Sequence, residues 1–596
     1  MVPYVDEVDA VDSRLIGLAE FLGIRCEALP LVRNARHHAQ FLEKVVSDRC
    51  VCFVVNPKVL QRWIGGESVS ADLVSSLASR FRYLFVHGLR ERSFDTSLIA
   101  GLSQGGLKKI EAVGGTGEAY RIEKDTRDIC ESFSGLEFGQ TNTINDHVFS
   151  VGASNPSLRS LISIGGRPFM TCMKRKETEI MFLASEEVVD LDSATGDSPL
   201  AECFSRLVPH AMALRYMFGE ECWRPGERHA CVIIDDPLLR RKYGFLNFEH
   251  LFQLVEKYKF HTSIAFIPHN YRRNSSEIVE LFRNNRERLS ICYHGSDHTE
   301  AELASTDATL LNTIVGIAES RMDRHEATAG FACDKVMVFP QGCFSPEAMK
   351  VLKMRNFLAA VNTAPYPTSK SSPLTLREII QPAILRYAGF PLFLRSYVKE
   401  IVSQDIAFNL FFGRPVLIVE HHEIFKDPDL LVDVVQKVGS LAPEIRWCGL
   451  ENAVRRSVLK RKSPDGTQRV RAYSGEVRVA NNSSAVERFL IEWNGPDASR
   501  SVESVLADGV PCDSVEMNEC GVRLPTELPP SSSRTFALRH QSLYSTRESL
   551  GLRWNAKAIV RRRLSELRDN HLSRNPRLLG VVQSLRERYL SRASTA

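Results

Sequence analysis

Apolar and polar positions change pattern three times along the chain. From about residue 10 to 220, amphipathic runs at helical spacing, such as SRLIGLAEFLG and ADLVSSLASRF, alternate with short β-branched or aromatic runs, such as CVCFVV and YLFVHG. Strands alternating with helices predict an α/β layer structure around a largely parallel sheet. Within it, RPFMTCMKRKETEIMFLAS sets two apolar runs around a charged KRKET turn and predicts a β-hairpin. From 228 to 455 the apolar runs become nearly continuous (HACVII, HTSIAFIP, LSICYHG, KVMVFP, FLAAVNT, PVLIVEHH) and are separated by helical runs such as NFEHLFQLVEKY and EAMKVLKMRN. Buried parallel strands ringed by helices require that combination. Residues 465 to 540 switch to short alternating runs (EVRVAN, FLIEWNG, SRTFALRH) punctuated by Gly, Asn, Pro and Ser, which predicts a small β-sandwich. Beyond it, IVRRRLSELR and LLGVVQSLRERYL predict two short helices, each with an apolar stripe and an arginine-rich face.

These patterns divide the 596 residues into an α/β accessory domain (1–222), a strand-and-helix domain (228–455), a β-sandwich (465–540) and a basic helical tail (547–596). A single core stops growing near about 300 residues, so several domains are expected on length alone. The first domain loosely resembles flavodoxin-like or glutamine-amidotransferase-like accessory domains. It has no cysteine nucleophile in a strand-to-helix elbow, and GGTGEAY at 114–120 lacks the spacing of a phosphate-binding loop and reads as a turn.

Composition is that of a folded globular protein, with 43% hydrophobic and 25% charged residues. The N-terminal stretch MVPYVDEVDAVD carries acids where a signal peptide carries bases, and no apolar run reaches the ~20 residues of a membrane span, so a cytoplasmic protein is expected. The fourteen cysteines sit mainly in apolar strands and are expected as buried thiols. Charge is concentrated: residues 547–596 hold eleven Arg and one Lys against four acids, a local +8, which leaves the rest near −4 against the total of +4. A nucleic-acid-binding protein is therefore not expected, and the tail reads either as a docked or solvated helix pair or as a surface for an acidic partner or anionic membrane.

The candidate chemistry lies where the strands of the second domain end: Asp235-Asp236-Pro237, then His294-Gly-Ser-Asp-His298, then Phe339-Pro340-Gln341-Gly342, then Glu420-His421-His422. In a parallel α/β arrangement the strand ends open on one face, so the four stretches can share a cleft. Taken singly, Asp-Asp-Pro is an Asx turn and two histidines four apart are loop residues. Together they suit a metal. Two adjacent carboxylates after the apolar run CVII cannot both ionise cheaply if buried, and a divalent cation resolves the conflict. Asp236, His294 and His298 supply nitrogen and oxygen ligands of the kind that hold a divalent transition ion, zinc first among them, and leave Asp235 free as a base. Asp297 reads as the N-cap of a helix over TEAELAS, and Tyr293 and Phe339 as wall or core. His269, with Tyr271 and Arg272, ends another strand and is a candidate cleft residue.

The ordered set IIDDP, HGSDH, VFPQG and VEHH resembles the polysaccharide deacetylase (NodB homology, carbohydrate esterase family 4) superfamily, over about 225 of the 596 residues. The resemblance implies a central distorted (β/α) barrel of the glycoside hydrolase/deacetylase type, with fewer strands than a full eight. It also implies Asp235 as general base, Asp236, His294 and His298 as metal ligands, and His421 or His422 as general acid. The family's hydrophobic-x-His pattern through Val419 favours His421. Pro340, Gln341, Gly342, His269 and His422 are the expected substrate contacts. The chain departs from the family at Pro237, where a glycine is usual, and at Val338, where an arginine orients the base. The implied activity is metal-dependent removal of acetyl groups from an N-acetylated sugar, glycan precursor or glycoconjugate. The alternatives are an inactive deacetylase-fold scaffold or carbohydrate-binding protein of polysaccharide biosynthesis, and a hydrolase of O-esters or non-sugar amides.

Overall fold

The computed structural model describes the chain except residues 32–50, 67–68, 114–116, 140–144, 153–156, 196–198, 300, 370, 496–500, 520, 542–549 and 573–596. The first part of the glycine turn, 114–116, and the second tail helix therefore lie outside the described residues.

The first region is built on a seven-stranded sheet in the order Cys52–Val55, Tyr83–Val86, Thr178–Leu183, Arg167–Arg175, Leu158–Ile164, Tyr120–Ile122, Glu137–Phe138. Its first three strands pair in parallel and the remainder antiparallel. The expectation of a largely parallel sheet thus holds for one side only. The physical reason is connection length: the hairpin around KRKET, found as expected, turns back within two residues, and a parallel neighbour needs a crossover of a dozen or more.

The second region is a parallel sheet. We label its strands β1 (His229–Asp235), β2 (Thr262–Phe266), β3 (Leu289–His294), β4 (Asp334–Val338), β5 (Ala359–Asn362), β6 (Leu392–Leu394), β7 (Ser396–Tyr397) and β8 (Val416–Glu420). They run in the order β6-β5-β4-β3-β2-β1-β8-β7, with Arg446–Trp447 adding a short ninth strand beside β1. The two ends of the path, β6 and β7, are separated in the chain by Arg395 alone, so covalent continuity closes the sheet into a nearly complete barrel. The strand count reaches eight because the segment 392–397 supplies both edges.

Side chains on a strand alternate between faces, and both faces here are apolar. Val232, Ile234, Ile264, Ile291, Tyr293 and Phe339 join a core with the surrounding helices, so Tyr293 and Phe339 are core as expected. Ile233, Ala265, Cys292, Val338, Val361 and Phe393 form a separate core inside the barrel.

Beyond the barrel, a six-stranded and a four-stranded sheet enclose Val470, Val477, Ile491, Trp493 and Phe536, giving the expected sandwich. The first region shares a core with the barrel's helix Ser403–Phe412: Phe133 meets Phe408 and Phe411 at ring-centroid distances of 5.2 and 5.3 Å. The described cysteines are free thiols, and among the described residues no helix is long and apolar enough to cross a membrane. Because Phe133 is fully buried between the two regions, Phe133→Ala is expected to lower the unfolding free energy by about 3–5 kcal/mol in urea titrations.

Candidate metal centre

Strand alternation decides which polar side chains enter the barrel. On β1, Cys231 and Ile233 point inward, so Asp235 does too. On β3 the inward series runs through Cys292 to His294, and through the β6-β7 seam from Phe393 to Arg395 and Tyr397. After β8 the inward series from Leu417 reaches His421 and excludes His422. The polar layer is thus the next step above the apolar interior on several strands at once.

Asp236 follows in a left-handed conformation, φ +77°, and His298 does likewise at φ +53°. Such backbone costs about 1 kcal/mol or more for residues other than glycine and persists where surrounding structure holds it. It swings the Asp236 carboxylate off the strand toward the histidines: Oδ1 lies 3.4 Å from His294 Nε2 and 3.2 Å from His298 Nε2. One ligand atom from each of the three residues lies within 4.8 Å of the others. His294 Nδ1 donates to the Val338 carbonyl at 3.1 Å, which sets its tautomer and leaves Nε2 with a lone pair for a metal. Asp236 Oδ1 is buried and makes no hydrogen bond. A buried, unsatisfied carboxylate oxygen facing two imidazole nitrogens fits a divalent cation of the zinc type. Burial raises the Asp236 pKa, but the charges of His298 and His294 outweigh it and hold the carboxyl well below its usual range. Burial pulls His298 down to about 4.

Asp235, 3% exposed, receives two parallel hydrogen bonds of 2.7 Å from the Arg395 guanidinium. Burial opposes ionisation, and the Arg395 charge overcomes it, so the Asp235 pKa is lowered. The arginine that meets Asp235 comes from the β6–β7 seam rather than from position 338, which is Val338. His421 lines the same cleft, its ring stacked on Tyr397 at 6.3 Å.

The loop between the histidines is held by a residue the sequence reading passed over. Glu302 accepts hydrogen bonds from the backbone N–H groups of Ser296, Asp297, His298 and Thr299 at 2.8–3.3 Å. A Cβ on Gly295 would sit 2.1 Å from Glu302 Oε1, so only glycine admits this carboxylate. Residues 301–303 form a turn rather than the expected helix, and Asp297 is no N-cap. It accepts instead from His269 Nδ1 (2.9 Å), Arg321 (2.5 Å) and Trp554 Nε1 (2.8 Å); burial opposes its ionisation, yet these donors bring it down to about 2.

Of the expected substrate contacts, Gln341 and Gly342 line the cleft. Pro340 is buried against Gly295, His269 is turned toward Asp297, and His422 opens the short helical turn after β8, outside the cleft lining and 3.7 Å from Asp569. The strand-end position of His269 predicts a cleft residue, but its place within the turn Pro268–Asn270 directs it into the loop network.

The cleft, about 470 Å³, is roofed by the helix Leu552–Asn570. That helix docks by polar contacts: Trp554 on Asp297, Glu566 on Arg273 (Oε2 2.6 Å from NH2), Asp569 on Tyr243 Oη (2.6 Å) and Asn570 on the Gly244 N–H (2.8 Å). Its apolar stripe faces away, with Leu564 61% and Leu567 50% exposed. The first tail helix is therefore docked, but by the face opposite to the apolar one.

Removing one partner of a buried pair leaves a charge uncompensated, so Arg395→Met is expected to cost about 3–5 kcal/mol of stability at pH 7. Asp235 has a depressed folded pKa, so the pair's stabilisation is present above the unfolded carboxylate value of about 3.9 and is lost as pH falls through the folded value. The cost of the variant should therefore hold between pH 7 and about 4 and shrink in urea titrations only as pH falls below about 4, and Asp235→Asn combined with Arg395→Met should recover part of it. Glu302→Gln should weaken metal binding by about 10- to 100-fold in competition titrations.

No protein-family model matches the chain, and no curated protein matches it. Among solved structures it is similar to Agd3, a carbohydrate deacetylase, with 10% identity, 90% of this chain and 98% of that chain covered, and a TM-score of 0.47. It is also similar to a family 4 carbohydrate esterase from Streptomyces lividans, with 11% identity, 38% of this chain and 92% of that one covered, and a TM-score of 0.24. A family 4 pseudoenzyme from Bacillus anthracis is similar over 37% of this chain and 68% of its own, with 9% identity and a TM-score of 0.23.

Proposed function

We propose that the protein is a metal-dependent hydrolase that removes acetyl groups from an N-acetylated sugar, glycan precursor or glycoconjugate. The observation that carries this reading is the convergence of Asp236, His294 and His298 within ligand distance of one point, with Asp235 and His421 lining the same cleft. A divalent ion bound there supplies Lewis acidity, polarising the acyl carbonyl and acidifying water.

The protein's own groups move the protons. Asp235, kept ionised by Arg395, accepts one from the attacking water. Each carboxylate oxygen has two lone pairs, so the two bonds to Arg395 leave acceptor capacity toward the cleft. His421, opposite, delivers a proton to the leaving nitrogen as the C–N bond breaks, giving acetate and a free amine. Tyr397, stacked on His421, restricts the ring's orientation, and Gln341 and Gly342 border the acyl site. Among the described residues, the flanking regions 1–222 and 465–540 contribute none to the cleft, and they are proposed as accessory domains. The Arg395–Asp235 pair weighs against one of the two supports of the inactive-scaffold reading, the missing arginine at Val338, and leaves the other, Pro237, standing.

Elemental analysis of the purified protein should find one bound divalent transition metal, lost in Asp236→Ala and His294→Ala together with acetate release. Asp235→Asn should keep the metal and lose about 10²–10⁴-fold in kcat. A wild type without metal, behaving like both alanine variants across N- and O-acetylated sugars, sinks the proposal. Release from O-acetyl sugars alone moves the reading to an esterase.

A further inference from the structure

The roof helix buries one cation, Arg562, that meets no carboxylate among the described residues. Arg562 is 6% exposed; its guanidinium stands 3.5 Å from His298 Nδ1 and 3.4 Å from Ser565 Oγ, and its Nε is buried without a hydrogen-bond partner. No carboxylate is among its partners in the described residues. Arginine does not deprotonate in proteins, so a buried guanidinium without a counter-anion is strongly disfavoured. Two of the cleft's acids are engaged, Asp235 with Arg395 and Asp569 with Tyr243 and Arg568 Nε, the last two contacts each at 2.6 Å, and the third, Asp236, faces His294 and His298. Four arginines (395, 561, 562 and 568) line the cleft against three aspartates (235, 236 and 569), before any divalent ion adds its charge.

The contact with His298 points the same way. A His298 that offers Nε2 to a metal carries its proton on Nδ1, and Arg562 has only donors. Two donors 3.5 Å apart are reconciled by an acceptor that takes a hydrogen bond from each.

We propose that the cleft takes an anionic substrate: an N-acylated sugar unit bearing a carboxylate or a phosphate, whose oxyanion is held by Arg562, with Arg561 and Arg568 lining the approach. Ser565, one turn along the helix, offers a hydroxyl to the same group. This deepens the deacetylase reading and rests on it for the acyl group, while the anion site itself stands on Arg562.

The test combines rates with binding on the metal-loaded full chain. Acetate release is compared for N-acetylglucosamine, N-acetylglucosaminuronic acid and N-acetylglucosamine 6-phosphate; whichever anion is preferred identifies the carboxylate or phosphate source. Calorimetric titration with glucuronate and with inorganic phosphate reads the site without turnover. Expected is a kcat/KM at least tenfold higher for one anionic sugar than for the neutral one, a ratio that collapses toward one in Arg562→Gln and is partly kept in Arg562→Lys. Anion binding should weaken at least tenfold in Arg562→Gln. Ser565→Asp, which gives Arg562 an internal carboxylate, should abolish anion binding as well and serves if Arg562→Gln is unstable. Acetate release with no preference for charge, and no anion binding that depends on Arg562, overturns the inference while leaving the deacetylase reading intact. Arg562-dependent anion binding without acetate release from any sugar upholds the anion site and overturns the deacetylase reading.

Discussion

Burying Asp235 and Asp236 side by side at the end of an apolar strand costs several kcal/mol per charge unless each meets its own cation. The barrel resolves this by separating the two carboxylates. Asp235 stays on the inward side of its strand and is clamped by Arg395 at the seam where the sheet closes. Asp236 is turned away by a left-handed backbone and handed to two histidines. One pair of neighbours thereby acquires two environments, one suited to holding a proton acceptor in its charged form and the other to binding a cation.

The seam position matters for more than charge. Arg395 sits between the two strands that end the sheet path, so its pair with Asp235 ties the first strand of the barrel to the closure point. Geometry around the metal triad is kept by similar indirect means. Glu302 gathers four consecutive backbone donors of the histidine loop, and the Val338 carbonyl orients His294. A loop so tied presents its ligands with little freedom left to lose, which is what a preorganised site requires.

The roof helix departs from the usual arrangement in which an amphipathic helix buries its apolar stripe. Here Trp554, Glu566, Asp569 and Asn570 anchor to polar groups of the barrel mouth, and Leu564 and Leu567 stay outside. A strand-end face is crowded with carboxylates, backbone donors and imidazoles, so its best cover is a polar one. The same orientation brings Arg562 against His298 and makes the tail part of the cleft.

Much of the plan was legible along the chain because it rests on local periodicity. The near-continuous apolar runs marked buried parallel strands, and the polar residues just beyond them, Asp235, Asp236, His294, His298 and His421, converge in the structure because parallel strands end on one face. Two-residue alternation admits only one of His421 and His422 to the cleft, and the hydrophobic-x-His pattern through Val419 favours His421, which lines it. What sequence patterns could not carry were partnerships between distant residues: Arg395 with Asp235 across 160 positions, Trp554 with Asp297 across 257, and the antiparallel half of the first sheet. His269, Asp297 and the tail helix were placed by rules of local propensity, and each was redirected by a charge from elsewhere in the fold. The sequence by itself determined the strands, their inward faces and the residues that gather as a candidate ligand set, since these depend on spacing along one chain segment. Which cation meets which carboxylate, and which face of the last helix turns inward, were decided only by tertiary structure, because electrostatic pairing depends on distance in space and on the water excluded around it.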